Sequence, residues 1–193
     1  MKIRRALPAC IAVTAGLLWT TPIATATAAT AVHPNALYGI EILNGFSYQH
    51  SLFMCLDAKS DAPNSPHNNG DKVQLWTCSG ASNQLWDYTA ELGNWGNIYN
   101  EDGYKCLDAQ SDAPHNPAVP GDGIQLYDCN GSLAQQWRLI PLANGSFAIQ
   151  NRAGNLVLDA ATDPPHNPDV NGDTVQLWSF PTLIPIQQQW YTP

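Results

Sequence analysis

One unit is written three times in this chain. Cys55-Leu56-Asp57-Ala58 returns as Cys106-Leu107-Asp108-Ala109 and again as Val157-Leu158-Asp159-Ala160, 51 residues apart each time. In step with it, Gly70-Asp71-Lys72-Val73-Gln74-Leu75-Trp76 recurs as Gly121-Asp122-Gly123-Ile124-Gln125-Leu126-Tyr127 and as Gly172-Asp173-Thr174-Val175-Gln176-Leu177-Trp178. Each copy closes on Gln-x-Trp, ending at Trp86, Trp137 and Trp190, the last two residues late. Repeats of this period build arrays or closed symmetric folds. Three copies filling the chain favour closure around a three-fold axis over an open solenoid.

Within each copy the pattern is that of strands. Val73-Gln74-Leu75-Trp76 alternates, which turns Val73 and Leu75 to a core and Gln74 and Trp76 outward. Clusters of Gly, Pro, Asn and Asp separate such runs every ten or so residues, and no segment keeps a helical period. The expected fold class is all-β.

The N-terminus reads as an address. Lys2, Arg4 and Arg5 head an apolar run from Ala6 to Trp19, and the small-residue sites Ala24-Thr25-Ala26 and Ala26-Thr27-Ala28 follow. This is the order of a secretory signal peptide, assigned to residues 1–29, and its apolar run is short for a membrane span. Residues 30–193 are then one domain, with lobes at approximately 38–92, 93–142 and 143–193. Without the leader, five Lys and Arg face sixteen Asp and Glu, a net charge of −11. Such a surface repels phosphate backbones and anionic lipid, so nucleic acid and membrane insertion are not expected.

Export also makes disulfides the natural reading of the cysteines. Cys55 to Cys78 and Cys106 to Cys129 are both 23 residues apart, and lobe three holds Val157 and Phe180 at the same two positions. Losing both partners together is what a bond within each lobe predicts; a metal site finds no nearby ligands at this spacing. If Cys55 lies directly opposite Cys78 in a hairpin, Asp57 lies opposite Trp76, Asp108 opposite Tyr127 and Asp159 opposite Trp178. Every lobe then presents a carboxylate beside an aromatic ring. A sugar stacks its C–H face on such a ring and donates its hydroxyls to such a carboxylate.

The Cys-Leu-Asp, Gln-Leu-Trp and Gln-x-Trp motifs together resemble the ricin B-type lectins, grouped also with family 13 carbohydrate-binding modules, over about residues 46 to 191. The resemblance implies a β-trefoil, six strands in a short barrel capped at one end by three hairpins, and a structural role for Trp86, Trp137 and Trp190. It places the sugar pocket on Asp57, Gln74, Trp76, Asn83 and Gln84 in lobe one. In lobe three it places it on Asp159, Gln176, Trp178 and Gln187, where the family usually has Asn. Lobe two offers Asp108, Gln125 and Tyr127, with Ala134 in place of the Asn. The expected order of strength is lobe one, then three, then two.

The loop from Ala58 to Val73 and its two counterparts are longer than the family pattern. They repeat Asp61-Ala62-Pro63, Asp112-Ala113-Pro114 and Asp163-Pro164-Pro165, with Asp71, Asp122 and Asp173 near their ends. Such Asp and Pro residues stiffen turns. Paired Asp with Asn is also donor chemistry for Ca²⁺, but turn capping is the preferred reading and no cofactor is expected. No nucleophile, metal or phosphate motif appears, so the chain is not expected to be an enzyme. Glycans or polysaccharides are the expected partners. The rival is a protein-binding trefoil, such as a secreted protease inhibitor or toxin-delivery subunit, which would not require Asp and aromatic to recur together.

Overall fold

A computed structural model describes residues 36–193; the leader assigned to residues 1–29 lies outside them. Lobe one contains β1 (Leu37–Ile40), β2 (Leu43–Asn44), a five-residue helix α1 (Gly45–Gln49), β3 (Met54–Ala58), β4 (Val73–Thr77) and β5 (Trp86–Tyr88). Lobe two contains β6 (Ile98–Asn100), β7 (Cys106–Ala109), β8 (Ile124–Tyr127) and β9 (Trp137–Pro141). Lobe three contains β10 (Phe147–Asn151), β11 (Val157–Ala160), β12 (Asp173–Trp178) and β13 (Trp190–Tyr191). A short 3₁₀ turn precedes each Gln-x-Trp tryptophan.

The lobes are joined edge to edge. β5 pairs with β6, β9 with β10, and β13 returns to β2, so the last lobe closes on the first. The hairpins β3–β4, β7–β8 and β11–β12 form the cap. They meet around the pseudo-three-fold through Thr174↔Gln74, Lys72↔Gln125 and Gly123↔Gln176. This is the three-fold closure that the repeat implied and the β-trefoil that the family resemblance implied.

The core is built in threes. Trp86, Trp137 and Trp190 are fully buried, as are Leu56, Leu107 and Leu158 and Leu75, Leu126 and Leu177. Each indole satisfies its own N–H inside the apolar core by donating to Leu56 O (2.9 Å), Leu107 O (2.8 Å) or Leu158 O (3.1 Å). A buried indole needs such a partner, which is why the motif demands Trp at that place.

A second triplet is polar. Asn44, Asn100 and Asn151 are fully buried. Their amides donate across the lobe boundary to Gln187 O, Asn83 O and Ala134 O, at 3.0, 2.9 and 2.8 Å. Their oxygens accept from Phe46, Asp102 and Ala153 N–H. An unpaired buried amide is costly, so these side chains pin each 3₁₀ turn to the next lobe. The turn is held by its backbone, which leaves its side chain free to vary as Asn83, Ala134 or Gln187.

Both disulfides are formed within lobes, Cys55–Cys78 and Cys106–Cys129. The register differs from the one that directly opposed cysteines imply. Cys55 faces Trp76 and Asp57 faces Gln74; likewise Asp108 faces Gln125 and Asp159 faces Gln176. The bridge is diagonal: Cys78 continues the ladder by donating its N–H to Phe53 O (2.8 Å), one rung beyond Cys55. Asp57 and Trp76 therefore share the outward face as diagonal neighbours, not as a direct pair. Gln74 also lies on that face, yet it is buried, because its amide is turned onto Asp57.

Candidate functional site

The Asp of each lobe is the penultimate residue of the hairpin's first strand, where the chain leaves for the long loop. The Gln opposite each one donates to its Oδ1, at 2.9 Å for Gln74–Asp57, 2.9 Å for Gln125–Asp108 and 3.0 Å for Gln176–Asp159. The three pairs are equivalent. The second oxygen is where the lobes part.

In lobe one Asp57 Oδ2 accepts from Asn83 Nδ2 (2.8 Å) and Gln84 Nε2 (3.0 Å). Gln84 also accepts from Ser79 N–H (2.8 Å) and so ties the carboxylate to the turn after β4. A carboxylate offers about four acceptor sites; three are taken by protein amides and one remains. Around it opens a cavity of about 290 Å³ lined by Asp57, Ser60, Asp61, Gln74, Trp76, Ser79, Asn83 and Gln84. Asp57 is almost wholly buried while Trp76 is 42% exposed, so the cavity has a charged floor and an open aromatic rim.

In lobe two the Ala134 side chain gives Asp108 nothing; Gln135 holds Asp128 O (2.9 Å) and Asn130 N–H (2.8 Å), as Gln84 holds Thr77 O and Ser79 N–H in lobe one. A cavity of about 220 Å³ persists, lined by Asp108, Ser111, Asp112, Gln125, Tyr127, Asn130 and Ser132. In lobe three Asp159 Oδ2 is buried with no partner, and so is Gln188 Oε1. The Gln187 side chain is half-buried, and its carbonyl serves Asn44.

Protonation follows these differences. Burial pushes the carboxyls of Asp57 and Asp108 above the ordinary range, against the pull of their amide donors. Asp159 is pushed up to about 6, chiefly by burial, with the Gln176 amide opposing and the Asp163 charge adding to the rise. A carboxylate without donors loses more on leaving water than one that is solvated by amides.

The sequence reading missed two groups of residues at the site. Ser60 and Asp61, with Ser111 and Asp112, line the cavities; the Asp-x-Pro repeat had marked their loops as flanking the pockets, but not these side chains as lining them. The other group comes from neighbouring lobes. Gly172 N–H donates to Leu75 O, Gly70 to Leu126 O and Gly121 to Leu177 O, each at 2.8 Å. A methyl added at Gly172 would stand 3.9 Å from the Trp76 ring, and one at Gly121 would stand 3.6 Å from Trp178. Both glycines have φ near +90°, which only Gly adopts at no steric cost. Each long loop thus crosses to flank the aromatic of the following lobe. The repeated Gly-Asp before each Gln-Leu-aromatic strand marks these positions in the sequence but not the lobe to which they cross.

The aspartates in these loops act as staples. Asp71 accepts from Ser65 and Asn68 N–H, at 2.9 and 3.2 Å. Asp122 meets His115 at 2.6 Å and Asp173 meets His166 at 3.0 Å. Among the described residues the one cluster with metal-ligand proximity is Glu41 with Cys55 and Cys78, whose sulfurs are spent in the disulfide. No helix among the described residues is long and apolar enough to cross a membrane.

Fold and site together define a trefoil with a carboxylate and an aromatic ring in each lobe. Two family models match the chain: a ricin-type β-trefoil lectin domain over residues 47–119, and a ricin-type β-trefoil lectin domain-like model over residues 97–178. Together the two models span residues 47–178, and both describe a ricin-type β-trefoil lectin domain. Among solved structures, the designed three-fold symmetric protein ThreeFoil is similar at TM-score 0.62 and 22% identity, over 79% of this chain and 96% of that one. An exo-β-1,3-galactanase from Clostridium thermocellum is similar at TM-score 0.63 and 20% identity, over 83% of this chain and 30% of that one. A Polyporus squamosus lectin, bound to a human-type influenza-binding epitope, is similar at 0.57 and 17%, over 82% of this chain and 48% of that one. At these identities the likeness speaks for the fold. No curated protein matched the sequence.

Proposed function

We propose that this protein is an exported, non-catalytic lectin that holds glycans in the Asp–aromatic pockets of its lobes. The observation that carries the reading is the lobe-one cavity. There a buried carboxylate, oriented by Gln74, Asn83 and Gln84, keeps one acceptor position beneath the exposed face of Trp76. A pyranose stacked on the ring would donate a hydroxyl to Asp57 and meet Ser60, Asp61 and Asn83 at its edge. In the same reading Asp108, Gln125 and Tyr127, and Asp159, Gln176, Trp178 and Gln187, serve lobes two and three. Weak sites repeated on one rigid body suit polymeric or cell-surface glycans, where avidity multiplies modest affinity.

Export is part of the proposal. Two disulfides favour an oxidising compartment, and residues 1–29 have the make-up of a leader, leaving residues 30–193 as the mature domain. The non-catalytic reading rests on each pocket aspartate being buried and held by the opposite Gln amide on Oδ1.

The test is a glycan and polysaccharide array read with the parent, with Trp76→Ala/Tyr127→Ala/Trp178→Ala, and with Asp57→Asn/Asp108→Asn/Asp159→Asn. Folding is checked by near-ultraviolet circular dichroism. The aromatic triple changes only exposed side chains, so it should fold and lose binding. Release of new reducing ends from a bound polysaccharide would overturn the non-catalytic reading. A folded parent that binds no glycan would overturn the lectin reading and leave the protein-binding trefoil.

A further inference from the structure

Lobe one differs from the others at one more place. From its buried Asn to the start of the hairpin it is five residues longer: Asn44 to Cys55, against Asn100 to Cys106 and Asn151 to Val157. The addition forms α1, and with it a groove of about 500 Å³ lined by Glu41, Leu43, Tyr48, Phe53, Cys78 and Tyr191, with Thr192 and Pro193. Tyr48 stacks on Tyr191, with centroids 5.0 Å apart and planes 25° apart, and meets Phe53 edge-on at 6.0 Å. Tyr48 is 47% and Phe53 53% exposed.

This groove and the Asp57 cavity share a wall. Cys78 lines one and Ser79 the other, and Glu41 Oε1 accepts Gly80 N–H at 2.8 Å, which fixes the turn between them. The ladder also puts the two on one face. Asp57 opposes Gln74 and Cys55 opposes Trp76, and Cys78 bonds Phe53 at the next outward rung. Asp57 and Phe53 are four residues apart on an extended run, so their backbones are separated by about 13 Å. That distance exceeds one sugar ring and suits a short chain of them. Lobes two and three lack the insertion. Where the last strand of lobe three gives Tyr191 to this groove, the corresponding strands give Asp87 and Arg138.

We propose that lobe one binds an oligosaccharide and not a single sugar. One residue sits in the Asp57–Trp76 cavity, and the next residues cross the Ser79–Gly80 turn onto Tyr48 and Phe53, with Glu41 accepting a hydroxyl at the edge. Flat rings with a carboxylate at the rim repeat the chemistry of the first cavity. A purely aliphatic ligand would leave the Glu41 charge facing it. The inference rests on the sugar reading of the Asp57 pocket and adds to it the length and direction of the ligand.

The experiment is titration calorimetry on the full exported protein carrying Asp108→Asn/Asp159→Asn, so that only lobe one reports. The probes are galactose, mannose and xylose, each beside its linear trisaccharide. For the sugar that binds, the trisaccharide should bind more tightly than the monosaccharide. Tyr48→Ala should weaken the trisaccharide about five- to tenfold, as loss of one stacking ring does, and leave the monosaccharide unchanged. Tyr48→Phe should keep the difference, and Leu52→Ala, an exposed neighbour outside the groove, should change neither. Equal affinity for the two lengths, or indifference to Tyr48→Ala, would overturn the extension while sparing the pocket. If Asp57→Asn leaves both affinities intact, the sugar reading of the pocket itself fails and the extension falls with it.

Discussion

Lobe one and lobe three are copies of one repeat and hold the same Asp, Gln and Trp in the same register, yet their pockets are solvated differently. Asp57 has amide donors on both oxygens. Asp159 has one on Oδ1 and none on Oδ2. The cause is local. Gln187 replaces Asn83, and two extra residues separate β12 from the following 3₁₀ turn. Gln188 still donates to the strand end, to Ser179 O at 3.2 Å as Gln84 does to Thr77 O at 3.1 Å, but no amide reaches Asp159 Oδ2 and its own oxygen is left unpaired. The frame around both is the same, since Asn100 and Asn44 hold the two turns by their carbonyls. A trefoil lobe thus keeps its backbone by one set of bonds and tunes its pocket by another.

The lobes differ most in covalent support. Lobe three fills the two cysteine positions with Val157 and Phe180, the first fully buried and the second 37% exposed. Placing that solution in lobe one, as Cys55→Val/Cys78→Phe, removes a bridge between residues 23 apart. It should lower stability by about 3 kcal/mol, measured by urea unfolding of both proteins under oxidising conditions. A fall well below 1 kcal/mol would mean that the apolar pair is equivalent to the disulfide, and that lobe three lost nothing by its exchange.

The next largest difference is electrostatic. The Asp159 carboxyl has an ordinary value of 3.8 and is pushed to about 6 in the folded protein. Between those values the folded state binds more protons than the unfolded chain. The stability gained from the protonated form is complete below pH ~4 and lost as pH rises through about 6. Asp159→Asn should therefore stabilise the protein at pH 7.5 by about 2 kcal/mol and change little at pH 4. Asp57→Asn should destabilise by about 1–3 kcal/mol, because it sets an amide against the donors of Asn83 and Gln84. Thermal melts across pH 4–8 check both. Two variants with the same pH profile would erase the distinction between the lobes. Binding has the opposite sign, since a sugar hydroxyl donates to the ionised form: lobe three should lose its ligand as pH falls through about 6.

What the chain revealed in advance was whatever repeats in step. The three-fold period gave the closure, the 23-residue cysteine spacing gave the bridges, and the family resemblance implied the trefoil and the core place of Trp86, Trp137 and Trp190. The register did not follow from spacing, because a diagonal disulfide and a directly opposed one differ by a two-residue slip, which leaves every side chain on the same face. The buried Asn44, Asn100 and Asn151 escaped notice because the α1 insertion puts the first of them out of step by five residues. The loops from neighbouring lobes escaped for another reason. Their Gly–backbone bonds join residues more than 50 apart, Gly172 and Leu75 nearly 100, and no local pattern announces which lobe a loop will cross to.

The smallest expected effect is the most informative about the pocket edge. Asn83 Nδ2 reaches both Asp57 Oδ2 (2.8 Å) and Ala58 O (3.0 Å) from a turn whose carbonyl is held by Asn100. Residue 187 occupies the same turn, its carbonyl held by Asn44. The shorter side chain in Gln187→Asn should therefore place an amide on Asp159 Oδ2, with Ala160 O as its second acceptor. One hydrogen bond to a carboxylate contributes about 1 kcal/mol or somewhat more. It favours the charged form, so the Asp159 carboxyl should fall from about 6 toward that of Asp57, as followed by carboxyl carbon chemical shifts during titration. The acid limit of lobe-three binding should move down with it. If the titration stays near 6, the two-residue insertion, and not the identity of residue 187, has moved the turn beyond reach of Asp159. The difference between the lobes would then lie in the length of the chain between Trp178 and Gln188.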